Sequence, residues 1–433
     1  MCNESQMKAI IGPSRSRAAT AAMIQSRHTR QQAGGTEAWG GIQMTTELRI
    51  GIVGLGNMGS GHAAYLAAGE VPGGVLAAVS DVREERLSWA KAAFGDSVKT
   101  YTSAREMFDS GEVDGVLICT PHYSHPEETI AALQAGLHVL VEKPAGVYTK
   151  QVKIMNEAAA ASGRVFGIMF NQRTNPLYRK MRELIQTGEL GDVRRINWIV
   201  TDWYRSQSYY DSGGWRATWE GEGGGVLMNQ SPHNLDLWQW VTGLMPTRIR
   251  AFCGFGKHRD IEVENDVTAY AEYPNGATGV FITSTVDAPG TNRLEITGDR
   301  GKLVAEDGKL TFWRLRTPES EFNRTYAGGF GSPETWRIDV PVPGGEPNQH
   351  RAVTRNWVDA IAGRAPLESP GEEGIKGLAL ANAMLLSAWT DGWVELPLDD
   401  EQYYRELQAR IAASTAGKDQ AAAGRTLDVK GTH

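Results

Sequence analysis

Two short segments carry the residue types on which the chemistry of this sequence depends. The first is a glycine-rich turn, Gly54-Leu55-Gly56-Asn57-Met58-Gly59, directly after the predicted strand Arg49–Val53. The second is Glu142-Lys143-Pro144, directly after the apolar run Val139-Leu140-Val141. In an open parallel sheet, the carboxyl ends of the strands face the ligand crevice. The pattern therefore places Lys143 in the crevice beside the glycine turn.

The glycine turn is typical of dinucleotide binding because it follows a strand and opens a helix. Gly54 permits the tight turn, Gly56 lets a pyrophosphate approach, and Gly59 allows close packing of helix on strand. Asp81 lies 22 residues after Gly59, at the end of the second predicted strand, where a carboxylate accepts hydrogen bonds from ribose hydroxyls. The aspartate favours NAD over NADP, although Arg83 could accommodate a 2′-phosphate. The alternative is a glycine-rich turn without a ligand.

A second candidate for chemistry is His233, in the first turn of a predicted helix. Ser231 is a good N-cap, Pro232 suits the first helical position, and Gly243 ends the helix. The helix dipole disfavours imidazolium there, so the ring stays neutral and can act as a general base. Asp236, three residues on, is predicted to orient the ring. The competing interpretation is a histidine that only caps or packs.

Aromatic residues are concentrated before this helix, and six of the thirteen tryptophans lie between Trp198 and Trp240. Aromatic faces stack on the C–H faces of sugars, and arginines bind planar anions through paired hydrogen bonds. The sequence therefore predicts a carbohydrate site, with an anionic sugar as one option. Its candidate residues are Arg173, Tyr204, Arg205, Trp215, Arg216, Trp219, Asn229 and His233.

These motifs, with Cys119-Thr120-Pro121-His122, His125 and the segment from Asn229 to Asp236, resemble the glucose-fructose oxidoreductase, inositol dehydrogenase and rhizopine-catabolism (Gfo/Idh/MocA) family. The resemblance covers about residues 46–400. It implies an α/β fold: an N-terminal Rossmann dinucleotide-binding domain and a C-terminal α+β domain with a large, mostly antiparallel open sheet. It also implies hydride transfer at a secondary hydroxyl of a sugar, glycoside or cyclitol, with Lys143, His233, Asn229 and Asp236 at the reaction centre. The implied cofactor contacts are Gly54, Gly56, Asn57, Met58, Gly59, Asp81, Arg83, Cys119, Thr120, Pro121, His122, His125, Glu142, Lys143 and Asn171.

One position departs from the family pattern. An aspartate usually lies four residues before the histidine, and this chain has Asn229, whose amide can neither exchange protons nor carry charge. The departure keeps a second function open, a redox-neutral NAD-dependent glycosidase that oxidises a ring hydroxyl transiently, eliminates the aglycone, adds water and reduces the sugar again. The third option is a non-catalytic NAD sensor.

The chain divides by pattern into four parts. We expect a disordered extension over residues 1–45, the Rossmann domain over 46–170, the substrate and oligomerisation domain over 171–412, and a flexible tail over 413–433. Within the second domain, Ser320 to Gly345 is rich in glycine and proline and is predicted to be a loop. The large sheet is the expected interface of a homodimer or homotetramer.

Composition excludes several other classes of protein. A net charge of -7 argues against a nucleic-acid binder. No apolar run approaches the roughly 18 residues that span a bilayer. Three scattered cysteines predict neither a disulfide framework nor a metal site. We therefore expect a cytoplasmic enzyme with a small-molecule carbohydrate substrate.

Overall fold

The computed structural model describes residues 47–414. The predicted N-terminal extension and residues 415–433 of the predicted tail lie outside this range. Across residues 47–414, no helix has the length and apolar character required to cross a bilayer. The same residues hold no cluster of three or more His, Cys, Asp and Glu side chains suited to a metal ion.

Residues 48–168 form a six-stranded parallel sheet with its helices. Its order, β3-β2-β1-β4-β5-β6, reverses direction between β1 and β4, and this reversal opens the crevice in which such sheets bind ligands. The Rossmann prediction is confirmed. The strands are β1 (Leu48–Val53), β2 (Gly74–Ser80), β3 (Lys99–Tyr101), β4 (Gly115–Ile118), β5 (His138–Val141) and β6 (Phe166–Ile168). The helices between them are α1 (Asn57–Ala67), α2 (Glu84–Phe94), α3 (Ala104–Asp109), α4 (Ser124–Gln134) and α5 (Thr149–Ser162).

The second half forms a nine-stranded sheet in the order β14-β13-β12-β11-β7-β10-β9-β8-β15. It is mostly antiparallel, as predicted, but β7 and β10 pair in parallel. The strands are β7 (Val193–Val200), β8 (Arg248–Phe255), β9 (Glu264–Glu272), β10 (Thr278–Ser284), β11 (Asn292–Gly298), β12 (Gly301–Glu306), β13 (Lys309–Leu315), β14 (Thr335–Val340) and β15 (Val394–Glu395).

Seven helices and two 3-10 turns complete residues 171–414. The helices are α6 (Pro176–Gln186), α7 (Gln207–Tyr210), α8 (Pro232–Trp240), α9 (Glu319–Thr325), α10 (Gln349–Ile361), α11 (Gly374–Thr390) and α12 (Asp400–Ala413). The 3-10 turns are Asn171–Thr174 and Gly371–Glu373. Among these elements, α6, α8 and α11 pack against the large sheet. Helix α8 carries His233 and packs against α11 and β7.

The prediction of a loop over Ser320 to Gly345 is wrong for part of the segment. Most of helix α9 and all of strand β14 fall within it, and a glycine-rich connection separates them. Glu319 and Glu321 lie in the first turn of α9, where negative charge is favourable. Strand β14 pairs along its whole length with β13, so it is the edge strand of the large sheet.

Helix α10 packs on the first sheet although it lies far along the chain. Val353, Trp357 and Val358 are buried in the same apolar cluster as Ile50 and Leu140 of the parallel sheet. The first core is therefore built from two separate stretches of sequence.

Candidate active site

The three glycines of the turn have two roles: Gly54 and Gly59 allow close packing, and Gly56 leaves room for a ligand. A side chain on Gly54 would meet the Cys119 carbonyl oxygen at 2.8 Å, and one on Gly59 would meet the Gly54 carbonyl oxygen at 1.8 Å. At Gly56 there is open space instead. The backbone N–H groups of Asn57 and Met58 begin α1 there, so the turn fits a pyrophosphate at a helix N-terminus.

Asp81 is held at the end of β2 beside this turn. Its carboxylate accepts the Leu55 N–H at 2.7 Å and the Arg83 N–H at 2.9 Å, and each oxygen keeps a lone pair for a ribose hydroxyl. The Arg83 side chain lies 3.6 Å from the same carboxylate, which favours a cofactor without a 2′-phosphate. Sequence reasoning missed Arg86, whose guanidinium donates to the Leu55 carbonyl and adds positive charge at the turn.

The loop after β4 holds two histidines with different surroundings. The ring nitrogens of His125 lie 2.7 Å from the carbonyl oxygens of Thr120 and Pro144, so this residue joins the ends of β4 and β5. His122 instead lies edge-on to Trp215 and 3.2 Å from the Glu222 carbonyl oxygen, on the substrate side.

Other polar atoms of this crevice have no protein partner. The Thr120 hydroxyl, next to Pro121, and the Asn171 amide oxygen, just after β6, are buried without one. Burial raises the pKa of the neighbouring Cys119 thiol, so this cysteine is inert at neutral pH. Buried polar atoms normally have partners, and these two atoms are placed to bind a polar ligand such as a dinucleotide.

Lys143 is a mostly buried cation at the end of β5. Its ammonium donates to the Asn229 carbonyl oxygen at 2.9 Å. Burial lowers the pKa of Lys143, and the negative charges of Glu142 and Glu222 oppose that effect. Glu142 itself accepts a hydrogen bond from His62 at 2.7 Å. Burial is the largest single effect and disfavours the Glu142 carboxylate. The bond to His62, together with electrostatic attraction to His62, His350 and Lys143, outweighs burial and holds the pKa of Glu142 at about 2.

His233 is buried in the first turn of α8, and its Nδ1 atom has no protein partner. Burial lowers the pKa of His233 well below its usual value, and the charge of Lys143 lowers it further. The imidazole is therefore neutral and keeps a free ring nitrogen for a ligand. Ser231 occupies the N-cap position, but the predicted capping bond is absent because its hydroxyl bonds to Thr283.

The prediction that Asp236 orients His233 is wrong. Both carboxylate oxygens of Asp236 bond to Arg173, at 2.6 and 2.7 Å, and Gln239 adds a third bond. Arg173 also pairs with Glu373. A buried guanidinium requires such anions around it, so Arg173 is a structural residue and the prediction that it binds substrate is wrong as well.

The aromatic segment divides into a part that faces the site and a part that packs. The guanidinium groups of Arg205 and Arg216 lie over the Tyr209 ring, 5.1 and 4.7 Å from its centre. Arg216 also lies over the Trp215 ring. The hydroxyl of Tyr209 accepts from Arg216 at 2.8 Å, so these side chains form one cluster.

Trp219 and Tyr204 lie apart from this cluster. The Trp219 ring is buried between Phe255 and Trp389, which corrects its prediction as a substrate contact. Half-exposed Tyr204 lies beneath the Arg259 guanidinium.

Sequence reasoning also missed Glu222, the second carboxylate near Lys143. It is buried, accepts the Ala217 N–H and the Asn229 side-chain amide, and lies 4.0 Å from Arg216. The available signal was an acidic residue inside the glycine run 221–225, where a solvated loop was the simpler expectation.

Two family models match this chain. One is described as "Oxidoreductase family, NAD-binding Rossmann fold" and matches residues 48–170, and the other is the GFO/IDH/MocA C-terminal domain, over residues 178–304. Together they cover more than half of the 433 residues. The chain belongs to the Gfo/Idh/MocA family. Its cofactor is NAD, as predicted, because the first model describes an NAD-binding domain and similar solved structures contain NADH.

Relatives of this Gfo/Idh/MocA protein include the rhizopine catabolism protein MocA of Rhizobium meliloti, 33% identical over 206 residues. That match covers 47% of this chain and 60% of the relative. The myo-inositol 2-dehydrogenase of Thermotoga maritima is 27% identical, with 61% and 77% of the two chains covered. Among solved structures, the WlbA dehydrogenase of Bordetella pertussis in complex with NADH and UDP-GlcNAcA is 26% identical with a TM-score of 0.69. This match covers 82% of this chain and all of that one.

Proposed function

We propose that this Gfo/Idh/MocA protein is a dehydrogenase that transfers hydride between a secondary hydroxyl of a sugar, glycoside or cyclitol and NAD. The observation that carries the proposal is the pair formed by the mostly buried Lys143 and neutral His233 beside the dinucleotide turn. The names of the relatives, a rhizopine catabolism protein and an inositol dehydrogenase, support this substrate class.

The chemistry assigned to each residue follows from its charge and burial. The substrate hydroxyl lies between Lys143 and His233. Lys143 stabilises negative charge on the oxygen as the O–H bond breaks, and buried charges do this more effectively than solvated ones. His233 takes the proton on a ring nitrogen, since burial keeps the ring neutral. Bound NAD supplies the hydride acceptor.

A more specific part of the proposal concerns charge on the substrate. Arg205 and Arg216 lie close enough to Lys143 to lower its pKa. The Nε atom of Arg205 is buried without a protein partner. Lys143 and the two arginines outnumber the nearby carboxylates of Glu142 and Glu222, which favours a substrate with a carboxylate or another anionic substituent.

The glycosidase alternative was motivated by the absent carboxylate at position 229. That motive weakens because Glu222 places a carboxylate against Asn229. The sensor alternative weakens because Lys143 and His233 are both present and the glycine turn is in place. The charge of Lys143 is close enough to lower the pKa of His233.

Stoichiometry tests the proposal. Purified protein is incubated with NAD and a panel of cyclitols, aldoses, uronic acids and aryl glycosides, and both NADH and released aglycone are followed. We expect one NADH for each substrate molecule oxidised. Aglycone release without net NADH would overturn the proposal in favour of the redox-neutral glycosidase. Tight NAD binding with neither product would favour the sensor.

A further inference from the structure

The carboxylate that the family pattern places at position 229 is absent from this chain, and the structure brings another one to the same place. Glu222 lies seven residues earlier, in the glycine run before α8. Its Oε1 atom accepts a hydrogen bond from the side-chain amide of Asn229. We propose that Glu222 is the positioning residue of this site, acting through Asn229 and Lys143 in place of the missing aspartate.

An ionised Glu222 fixes the orientation of the Asn229 amide. Burial raises the pKa of Glu222, and the charge of Arg216 and the hydrogen bond from the Ala217 N–H oppose that shift. Its Nδ2 group donates to Glu222, which leaves Oδ1 to accept from Tyr209 at 3.3 Å and from Gln230 at 3.0 Å. A carboxylate is an acceptor at both oxygens, so it fixes which end of the amide faces it. The Asn229 backbone carbonyl meanwhile accepts from Lys143. One residue thus links Glu222 to the lysine.

The second oxygen of Glu222 is also bonded. Oε2 accepts the backbone N–H of Ala217 at 2.6 Å, and Ala217 has a positive φ of 53°. The Glu222 side chain is therefore held by bonds at both oxygens. The bond to Ala217 would be sufficient if Glu222 only stabilised the loop. The bond to Asn229 adds a contact with a residue that Lys143 also contacts.

The charge of Glu222 acts on Lys143 among several other charged groups. Burial lowers the Lys143 pKa most, while the carboxylates raise it and the guanidinium groups lower it further. Lys143 in turn lowers the pKa of four histidines that face it. The facing groups are Glu142, Glu222, Arg205, Arg216, His122, His125, His233 and His350. Without Glu222, Glu142 is the one carboxylate left in this set, and Glu142 is bonded to His62.

Four isosteric proteins test the proposal: the wild type, Glu222→Gln, Asn229→Asp and the double variant. In Glu222→Gln, an N–H group of the new amide faces either Asn229 Nδ2 or the Ala217 N–H. In Asn229→Asp, two carboxylates face each other. In the double variant, the new amide at position 222 accepts from the Ala217 N–H and donates to the new carboxylate at position 229. Both hydrogen bonds are therefore restored, and the negative charge has moved from position 222 to position 229.

The first readout needs neither cofactor nor substrate. Competitive acetylation of Lys143 against pH, read by peptide mass spectrometry, gives its titration midpoint in the cofactor-free protein. We expect the midpoint to fall by about one pH unit in Glu222→Gln, from loss of one nearby negative charge, and to recover in the double variant. Glu220→Gln is the matched control, because Glu220 is an exposed glutamate of the same loop and its loss leaves the midpoint unchanged. An unchanged midpoint in Glu222→Gln would overturn the proposal.

The second readout is turnover, and it rests on the proposed dehydrogenase function. We expect kcat to fall about tenfold or more in each single variant and to recover in the double variant, with NADH affinity unchanged throughout. If the double variant is no faster than the singles while circular dichroism shows all four folded, Glu222 only braces the loop and the proposal fails. If no substrate of the panel is oxidised, the dehydrogenase proposal fails alone, since the Lys143 midpoint still decides the role of Glu222.

Discussion

Replacing Lys143 by methionine tests the centre of the proposed mechanism. Methionine nearly matches the length of the lysine stem, so it fills the same space and removes only the donor and the charge. The fold loses the charged hydrogen bond to the Asn229 carbonyl, about 2 kcal/mol, and no longer buries an ammonium group. We therefore expect the variant to fold.

Turnover, by contrast, should fall steeply. Removing one donor aimed at a developing oxyanion costs about 10²- to 10³-fold in kcat, which is about 3 to 4 kcal/mol of transition-state stabilisation. The assay is NADH formation under saturating substrate, with NADH affinity measured separately by fluorescence titration. We expect kcat to fall by that factor and NADH affinity to stay the same.

The matched control is Lys150→Met, at a solvent-accessible lysine in the first turn of α5 that pairs with Glu401. Its turnover should equal that of the wild type. If Lys143→Met also retains wild-type turnover, Lys143 does not stabilise the substrate oxygen and the mechanism is refuted.

Four further predictions follow from other contacts. For His233, the lowered pKa keeps the base neutral as pH falls, so the acid limb of kcat/KM should lie below the usual histidine value of 6.5 and disappear in His233→Ala. Asp236→Asn should lower the free energy of unfolding by about 3 kcal/mol, because buried Arg173 loses a charged partner, and urea denaturation measures this. Asp81→Asn should reduce kcat/KM for NAD about tenfold or more relative to that for NADP, since it removes a charged acceptor of the ribose. Phe252→Glu should reduce the mass measured by light scattering to that of a monomer, if the outer face of the large sheet joins copies of the chain.

Two exposed residues provide controls for the pH profile and for the NAD preference. His258→Ala and Asp96→Asn change exposed residues and should leave the pH profile and the NAD preference as they are. An acid limb near pH 6.5 in the wild type would show a solvated base. Wild-type stability of Asp236→Asn would mean that Glu373 alone neutralises Arg173. An oligomer that survives Phe252→Glu would place the interface on another face.

The sequence predicts correctly which residues lie at the ends of the parallel strands, because this depends on local spacing. The glycine turn and Asp81 follow buried strands directly, and Lys143 lies two residues after β5, so the sheet itself fixes where they lie. The prediction that Asp236 orients His233 failed because helical spacing shows only which residues share a side of α8. Its actual partner, Arg173, comes from a 3-10 turn 63 residues earlier, and no local pattern encodes that contact.

Glu222 was missed for a related reason. It lies in a run of glycines, where backbone conformation varies widely and side-chain direction has no period to read. The position of its carboxylate depends on the bond to Ala217 and on the bond to Asn229, and neither follows from a helical or strand period. For loop residues of this kind, the sequence predicts that the segment is a loop but not where each side chain points.

The packing of α10 on the parallel sheet has a consequence for how the chain is made. Val353, Trp357 and Val358 complete the apolar core around β1, and they are synthesised long after the last strand of that sheet. On the ribosome, the nascent parallel sheet must therefore keep this apolar surface uncovered until α10 emerges. A fragment ending at residue 170 would keep it uncovered permanently and be prone to aggregate. The dinucleotide-binding domain is thus synthesised first, but its apolar core is completed only late in synthesis.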